Sequence, residues 1–395
     1  MKFGFTALLL AASFGSFAQT WKTLPKGVRI VGYRNVTTSK INSNFNQFRS
    51  EASLGGSFKV DAASLALPKV GVSDAVYNNL VVGEFKVDAQ AQAQVHGTGF
   101  GYGLTDRVMF YGELAYYNVQ VKANIKRVSG NTYAQAADLA RSGSYADQVA
   151  ANSLKSLIDA DEKSVQSVVT NYYGYKPIGN WQGSGYGDME TGLMANVVDH
   201  SSWGVLVYPG VILPTGRQDD PNILQDMGFG DGQFDLFTEF ATGYIYNDYL
   251  KMGTTLRYTY QNPTTKELRV PTERDFQLSD QTGDFNVKYG DRLNWMINGT
   301  YSMNDWISVT PVYRFMYQAP SEFSSKFTQA DEYLGYNSDK QEHQVQLTTS
   351  FSTITPFLKK QFILPAQINV NAVQTVAGKN VPKASRFEVE IRMLF

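Results

Sequence analysis

Phe85-Lys86-Val87-Asp88-Ala89-Gln90-Ala91-Gln92-Ala93-Gln94-Val95 alternates apolar and polar residues without a break. Successive side chains of an extended strand point to opposite faces, so this period of two predicts a β-strand with one apolar face. The same pattern returns at Leu250, Met252, Leu256 and Tyr258, at Leu293, Trp295 and Ile297, and at Ile307, Val309, Tyr313 and Phe315. It also ends the chain, where Phe387, Val389, Ile391, Met393 and Phe395 alternate with Glu388, Glu390 and Arg392. An aromatic last residue closing an alternating strand resembles the assembly signal of bacterial outer-membrane barrels, which makes Phe395 the expected contact for the barrel-assembly machinery.

Short polar turns separate these runs at Thr105-Asp106-Arg107, Asp199-His200-Ser201, Asn247-Asp248 and Asn304-Asp305, with another near Pro356. Such turns join antiparallel neighbours as hairpins. From Asp199 onward they recur every 49 to 57 positions, whereas 93 positions separate Asp106 from Asp199. One hairpin therefore carries an insertion. Trp203, Tyr249 and Trp306 follow the turns, and Tyr246 and Tyr301 precede them, where an aromatic girdle at a membrane face would lie. The turns are expected to face the periplasm. The alternate connections, residues 215–231, 263–283 and 320–340, are polar and about 20 residues long, as extracellular loops are.

The expected fold is all-β: a transmembrane antiparallel up-and-down β-barrel of twelve strands with a helical extracellular insertion. The strands are expected near 27–37, 85–102, 107–124, 186–198, 203–214, 232–246, 249–262, 285–303, 306–318, 341–353, 361–376 and 385–395. Residues 53–58 leave room for a further hairpin, and so for fourteen.

Composition agrees with this class. Of the 395 residues only 18% are charged, against about 25% in soluble domains, while there are 24 Phe, 24 Tyr, 5 Trp and 34 Gly. The formal charge of −1 gives no bias toward nucleic acid. With no cysteine there are no disulfides, thiolate nucleophiles or thiolate metal sites, and only His96, His200 and His343 titrate near neutrality. No cofactor is expected.

Met1-Lys2, the apolar stretch Phe3 to Phe14 and the small residues of Ser16-Phe17-Ala18 read as a secretory signal peptide spanning residues 1–18. The mature chain would run from Gln19 to Phe395 as one barrel domain.

The insertion changes period. Ala150, Leu154, Leu157 and Ile158, then Val165, Val168 and Val169, follow helical spacing, so residues 134–171 are expected to be mostly helical. Ser142-Gly143-Ser144 would break the first helix, and Asp159 to Glu162 would sit at the start of the last, where the helix dipole favours acids. The apolar stripe of Leu154, Leu157, Ile158, Val165, Val168 and Val169 either packs on neighbouring loops or forms a lid over the barrel.

Alternation assigns an inward set of charges: Glu113, Asp188, Glu190, Asp235, Glu239, Glu388 and Glu390 against Lys251, Arg257, Arg292, Arg314 and Arg392. A twelve-stranded barrel is narrow enough for long side chains nearly to fill it. These charges either brace the barrel as cross-strand ion pairs or line a water path and set its selectivity. Two weaker constellations have bland readings. His200-Ser201-Ser202 has the spacing of a phospholipase base and nucleophile but lies in a turn on the periplasmic side, and no catalytic residue is assigned. Asp219, Asp220, Asp226 and Asp231 crowd one loop without calcium-loop spacing, and no metal ligand is assigned.

Gly204-Val205-Leu206-Val207-Tyr208-Pro209-Gly210-Val211-Ile212-Leu213-Pro214-Thr215-Gly216, the Gly228 to Gly232 loop and the strand through Phe234 to Tyr246 resemble the phenol-degradation meta-pathway family of outer-membrane barrels. That family is related in kind to the outer-membrane transporters of long-chain fatty acids and aromatic hydrocarbons. Gly103-Leu104-Thr105-Asp106-Arg107 is similar to it as well. The helical insertion departs from the family, and no N-terminal plug of the fatty-acid-transporter type is recognisable. The resemblance implies a cell outer membrane of Gram-negative type, contact with its lipid and lipopolysaccharide, and passive uptake of small, apolar or aromatic solutes. A closed structural or surface-interaction barrel, such as an adhesin or phage receptor, is the competing expectation.

Overall fold

The computed structural model describes residues 21–61, 81–129, 137–138, 140–141, 144–155, 161–274 and 278–395. The expected signal peptide and the helical residues Leu157 and Ile158 lie outside the described residues, as does the side chain of Leu154.

Twelve strands close into one antiparallel barrel. In chain order they are β1 (Arg29–Thr38), β2 (Val81–Gly103), β3 (Val108–Ser129), β4 (Met189–Asp199), β5 (Trp203–Leu213), β6 (Asp235–Ile245), β7 (Leu250–Gln261), β8 (Arg292–Ser302), β9 (Ile307–Gln318), β10 (Lys340–Ser352), β11 (Ala366–Lys379) and β12 (Ser385–Leu394). Each pairs with its sequence neighbours, and β1 pairs with β12 from Ile30↔Leu394 to Thr38↔Arg386, so no edge is left open. The terminal Phe395 joins that seam, exchanging backbone hydrogen bonds with Arg29 at 2.8 and 3.0 Å. The extra hairpin near residues 53–58 does not enter the ring. Ser57–Asp61 pairs only with the upper end of β2, and Ser43–Phe45, Glu51–Ser53 and Val381–Pro382 form a small separate sheet.

The turns fall where the sequence places them. An Asn side chain caps two of them: Asn247 accepts from Tyr249 N and Leu250 N, and Asn304 from Trp306 N and Ile307 N, all at 2.8–2.9 Å. Trp203, Tyr246, Tyr249, Tyr301 and Trp306 all project outward beside these turns and are exposed. The turn between β10 and β11 is longer and holds a short helix, α4 (Ile354–Leu358).

β2 and β3 are 23 and 22 residues long. At roughly 3.3 Å per residue they reach far beyond an apolar band of about 25 Å. Their polarity inverts along the way. In the lower part Phe100, Tyr102, Phe110 and Leu114 face outward, as lipid demands, while above Tyr116 and His96 the outward residues become Asn118, Gln120, Lys122, Gln94, Gln92 and Asp88. There the inward Phe85, Val87, Ala89, Ala91, Ala93, Val95, Val119 and Val121 are buried. The alternating stretch of 85–95 is thus a strand, but its apolar face points into the protein. It stands in water outside the bilayer, so burial again drives apolar residues inward.

All of these but Phe85 form the core of an extracellular cap with Ile41, Leu54, Val169, Tyr175, Ile178, Met227, Phe229 and Leu278. A second cluster in the cap gathers Val270, Phe285 and Val287 against α3 (Thr328–Gly335) through Ala330 and Leu334. The insertion carries helices within its described residues. α1 spans Tyr145–Lys155 and α2 spans Glu162–Ser167, followed by a π-helical turn, Val168–Tyr172. Asp161 caps α2, its carboxylate accepting from Ser164 N at 2.7 Å, which is the acidic start that the sequence indicates.

Candidate functional site in the barrel lumen

Inside the membrane-spanning part the lumen is polar, and hydrogen-bonded side chains fill much of it. Thr300 meets Thr310 at 2.8 Å, Thr348 donates to Asn371 at 2.7 Å, and Ser350 donates to Asn369 at 2.8 Å. Asn369 and Asn371 donate in turn to Glu390 at 2.9 Å and Glu388 at 3.1 Å. Each residue lies on the inward face by strand parity, so alternation alone brings a polar ladder together.

Charges tie into this ladder as knots. Arg257 on β7 donates through Nε to Glu239 at 2.7 Å and through both Nη atoms to Glu190 at 2.7 and 2.9 Å. Its guanidinium also lies 4.2 Å from the Phe237 ring, and Tyr111 donates to Glu190 at 3.0 Å. On the facing wall Arg392 binds Glu390 at 2.7 Å, Arg386 donates to Glu388 at 2.6 Å, and Arg34 lies 3.8 Å from both glutamates. A third knot near the extracellular end holds Arg292 3.5 Å from Asp235 and 3.8 Å from Asp231. Such fork-to-carboxylate geometry offsets the cost of burying charge in a narrow barrel.

Glu113 faces Glu190 across the β3–β4 pair, and Lys251 shares the inward face of β7 with Arg257. Asp188 does not line the lumen wall. It falls between Trp181–Tyr186 and β4, where its carboxylate accepts from Gly216 N at 2.8 Å and Asp231 N at 3.1 Å and so braces the loop after β5. Parity counting fails there because the strand is interrupted at Gly187 and Asp188. Burial raises the Asp188 carboxyl to about 6, and the neighbouring Asp231 charge adds to the shift.

A cavity of about 40 Å³ opens beside the Arg257 knot, room for about three water-sized spheres. Ile30, Met109, Met194 and Tyr208 give it an apolar wall, and Glu239 and Arg257 close one side. Two inward glycines on the lower part of β2, Gly99 and Gly101, line it and leave it room. A Cβ on Gly101 would come within 2.7 Å of Met109 Cε and 2.9 Å of Ile30 Cγ2.

The N-terminal segment packs into the periplasmic end of the barrel, a short plug that differs from the fatty-acid-transporter type. Trp21 and Leu24 are buried in a cluster with Met194, Leu206 and Ala241. Trp21 Nε1 donates to Asp199 at 2.9 Å, Asn196 Nδ2 donates to the Trp21 carbonyl, and Thr23 Oγ1 donates to the Asp106 carbonyl at 2.9 Å. Room for the indole comes from Gly204 and Gly243, and a Cβ on Gly204 would lie 2.0 Å from it. Nothing in Trp21-Lys22-Thr23-Leu24 is periodic, so the sequence carries no local signal for this role.

Of the apolar stripe, Val169 joins the cap core. Val165 and Val169 are buried and Val168 is half-buried. Arg269, from the loop after β7, clamps the segment that follows by donating to the carbonyls of Tyr173 at 2.8 Å and Gly174 at 3.1 Å, and it stacks 4.1 Å from the Tyr175 ring. The acidic loop is likewise internally engaged: Arg217 holds Asp226 bidentately, and Asp220 accepts from Asn222 N at 2.9 Å. Ser201 Oγ lies 3.5 Å from His200 Nδ1 in an exposed turn, with the imidazole stacked on Trp203.

No protein-family model matches the sequence, and no curated protein matches it. Among solved structures, the chain is similar to an outer membrane channel of Pseudomonas putida F1, with a TM-score of 0.54 at 11% identity over 95% of this chain and 98% of that one. The toluene transporter TbuX of Ralstonia pickettii follows at a TM-score of 0.37 and 8% identity, covering 94% and 90% of the two chains. The CymD monoaromatic hydrocarbon channel gives 0.35 and 8%, covering 94% and 88%. The fold is that of an outer-membrane β-barrel.

Proposed function

We propose that this protein is an outer-membrane channel for the passive uptake of small, apolar or aromatic solutes. The observation that carries the reading is the cavity beside Arg257, whose wall of Ile30, Met109, Met194 and Tyr208 is apolar in an otherwise polar lumen. Its neighbouring charges are already paired, so an apolar solute can enter without leaving an ion unsolvated.

In this reading the solute leaves for the bilayer through the wall that the cavity touches, where the ladder is weakest. The β4–β5 ladder runs from Met189↔Leu213 to Gly192↔Gly210 and resumes at Ala195↔Val207, leaving Leu193 and Met194 opposite Pro209 and Tyr208 without a ladder pair. Proline brings no N–H to the seam. In this reading the solute descends its gradient without cofactor or energy input. The Trp21 plug blocks a straight aqueous path, and the C-terminal strand through Phe395 is the contact for assembly machinery. Lipid and lipopolysaccharide surround the outward aromatic surface.

Toluene uptake into proteoliposomes tests the reading. Met194→Trp fills the cavity, and uptake should fall at least tenfold while heat-modifiable gel mobility stays native. Unchanged uptake in a folded Met194→Trp protein overturns it. A surface-binding barrel is the second reading, and the cored cap favours it, since the apolar clusters under the loops would hold them as a rigid outer surface. Absence of both toluene uptake and conductance in the wild-type protein would select it.

A further inference from the structure

Arg314 stands apart from the other inward arginines. Arg34, Arg257, Arg292, Arg386 and Arg392 each lie within ion-pair distance of a carboxylate. Arg314 makes no hydrogen bond and no ion pair among the described residues, and its Nε is buried without a partner. Guanidinium groups stay charged at any physiological pH, so the group requires an acceptor.

The carboxylates that act on it from a distance, Glu388 and Glu342, are committed elsewhere. Glu388 is held by Arg386 at 2.6 Å and by Asn371 at 3.1 Å. Glu342 accepts from Gln344 Nε2 at 2.7 Å and Thr375 Oγ1 at 2.8 Å. Arg386 and Arg34 add positive charge on the same side. Gln344 Oε1, the acceptor nearest in register on β10, receives Arg386 Nη2 at 3.2 Å. On the other flank the register partner is Met296 on β8, an inward thioether on a wall of Asn294, Asn298 and Thr300. One unpaired planar cation thus sits between further cations and one apolar side chain, toward the extracellular end of the lumen.

We propose that Arg314 is the anchor of a binding site for a small organic carboxylate, whose two oxygens take the guanidinium fork and whose apolar body rests on Met296. This rests on the reading of the barrel as a solute channel and gives that channel a second solute class, the anionic form of an apolar molecule. Neutral solutes bypass the site, while carboxylates pause at it.

Isothermal titration of the full-length mature protein in detergent with sodium benzoate, sodium acetate and toluene tests the site, with toluene uptake measured separately. The expected result is benzoate binding that acetate displaces and toluene does not. Arg314→Gln should weaken benzoate binding at least tenfold, with Arg314→Lys between the two and toluene uptake retained in all three proteins. Equal benzoate binding by wild type and Arg314→Gln, or none by wild type, overturns the site even where toluene uptake persists. Benzoate binding at Arg314 without toluene uptake by wild type overturns the channel for neutral solutes and leaves the site standing. If neither substituted protein folds, failure of acetate to displace benzoate from wild type overturns the site.

Discussion

The indole N–H of Trp21 donates to the Asp199 carboxylate at 2.9 Å, joining the first described residue of the chain to the periplasmic end of β4, 178 positions away. Lys22 pairs with the same carboxylate. Truncating Trp21 removes both the hydrogen bond and the apolar body that fills the space under Gly204 and Gly243. Large-to-small changes of this kind cost about 3–5 kcal/mol when the residue is fully buried. Trp21→Ala should therefore release the segment, raise single-channel conductance in planar bilayers and expose the N-terminal residues to protease. Unaltered conductance together with unaltered proteolysis would count against the plug.

Arg257 pairs with Glu190 and Glu239 together, and removing it strands two carboxylates in a confined lumen. Breaking one side of a buried pair costs roughly 3–5 kcal/mol. Arg257→Gln should lower the melting temperature followed by heat-modifiable mobility, and the further change Glu239→Gln should recover part of the loss. The single variant should also shift the reversal potential toward cation preference. A melting temperature that stays put would show that the knot is solvated and contributes little.

The Asp188 carboxyl, raised to about 6 by burial, gives a pH dependence of definite sign. In the open loop its pKa returns to about 3.9. Between those values the closed loop binds a proton that the open loop releases. The stability of the brace is therefore greatest below about 4, falls as pH rises toward 6, and is level above that. Hydrogen exchange at the Gly216 and Asp231 amides, which Asp188 receives, should speed up from pH 4 to 6.5 beyond the intrinsic rate, and Asp188→Asn should abolish the excess.

Arg269 is the clamp between the helical insertion and two other loops, since it also reaches the Ser279 carbonyl at 2.9 Å and the Asn222 side chain. Arg269→Ala should make residues 144–172 at least tenfold more sensitive to limited proteolysis while barrel melting stays unchanged. Rapid cleavage of the wild-type protein in that segment would instead favour a lid that opens on its own.

The twelve strands are legible because the membrane crossings alternate and every periplasmic turn but the one at Pro356 carries or adjoins an Asp or Asn, two signals that act over a few residues. The inward position of Glu190, Glu239, Arg257 and Arg292 follows from the same parity. Which carboxylate meets which arginine does not follow, because Glu190 and Arg257 belong to β4 and β7, which share no ladder, and they meet only across the curved interior. Asp188 escapes parity through an interrupted strand, and Trp21 escapes it because its pocket is made by a pair of glycines, Gly204 and Gly243, on neighbouring strands far from it along the chain. Alternation also fixes faces without saying which face meets water, so the inverted upper part of β2 and β3 emerges only when strand length is set against bilayer thickness.

That inversion acts as a waterline on the hull of the barrel. Tyr33 stacks on His96, and Tyr116 meets Tyr186 edge-on, at the level where the outward residues change from apolar to polar. Sinking the barrel by one more pair of residues would press Asn118 and Gln94 against acyl chains, and further descent would add Lys122 at roughly 2–4 kcal/mol near the midplane. Floating higher would expose Phe100, Tyr102 and Leu114 to water. The draught of the protein in its membrane is thus written in one hairpin, and the extracellular cap is carried at a fixed height above the lipid.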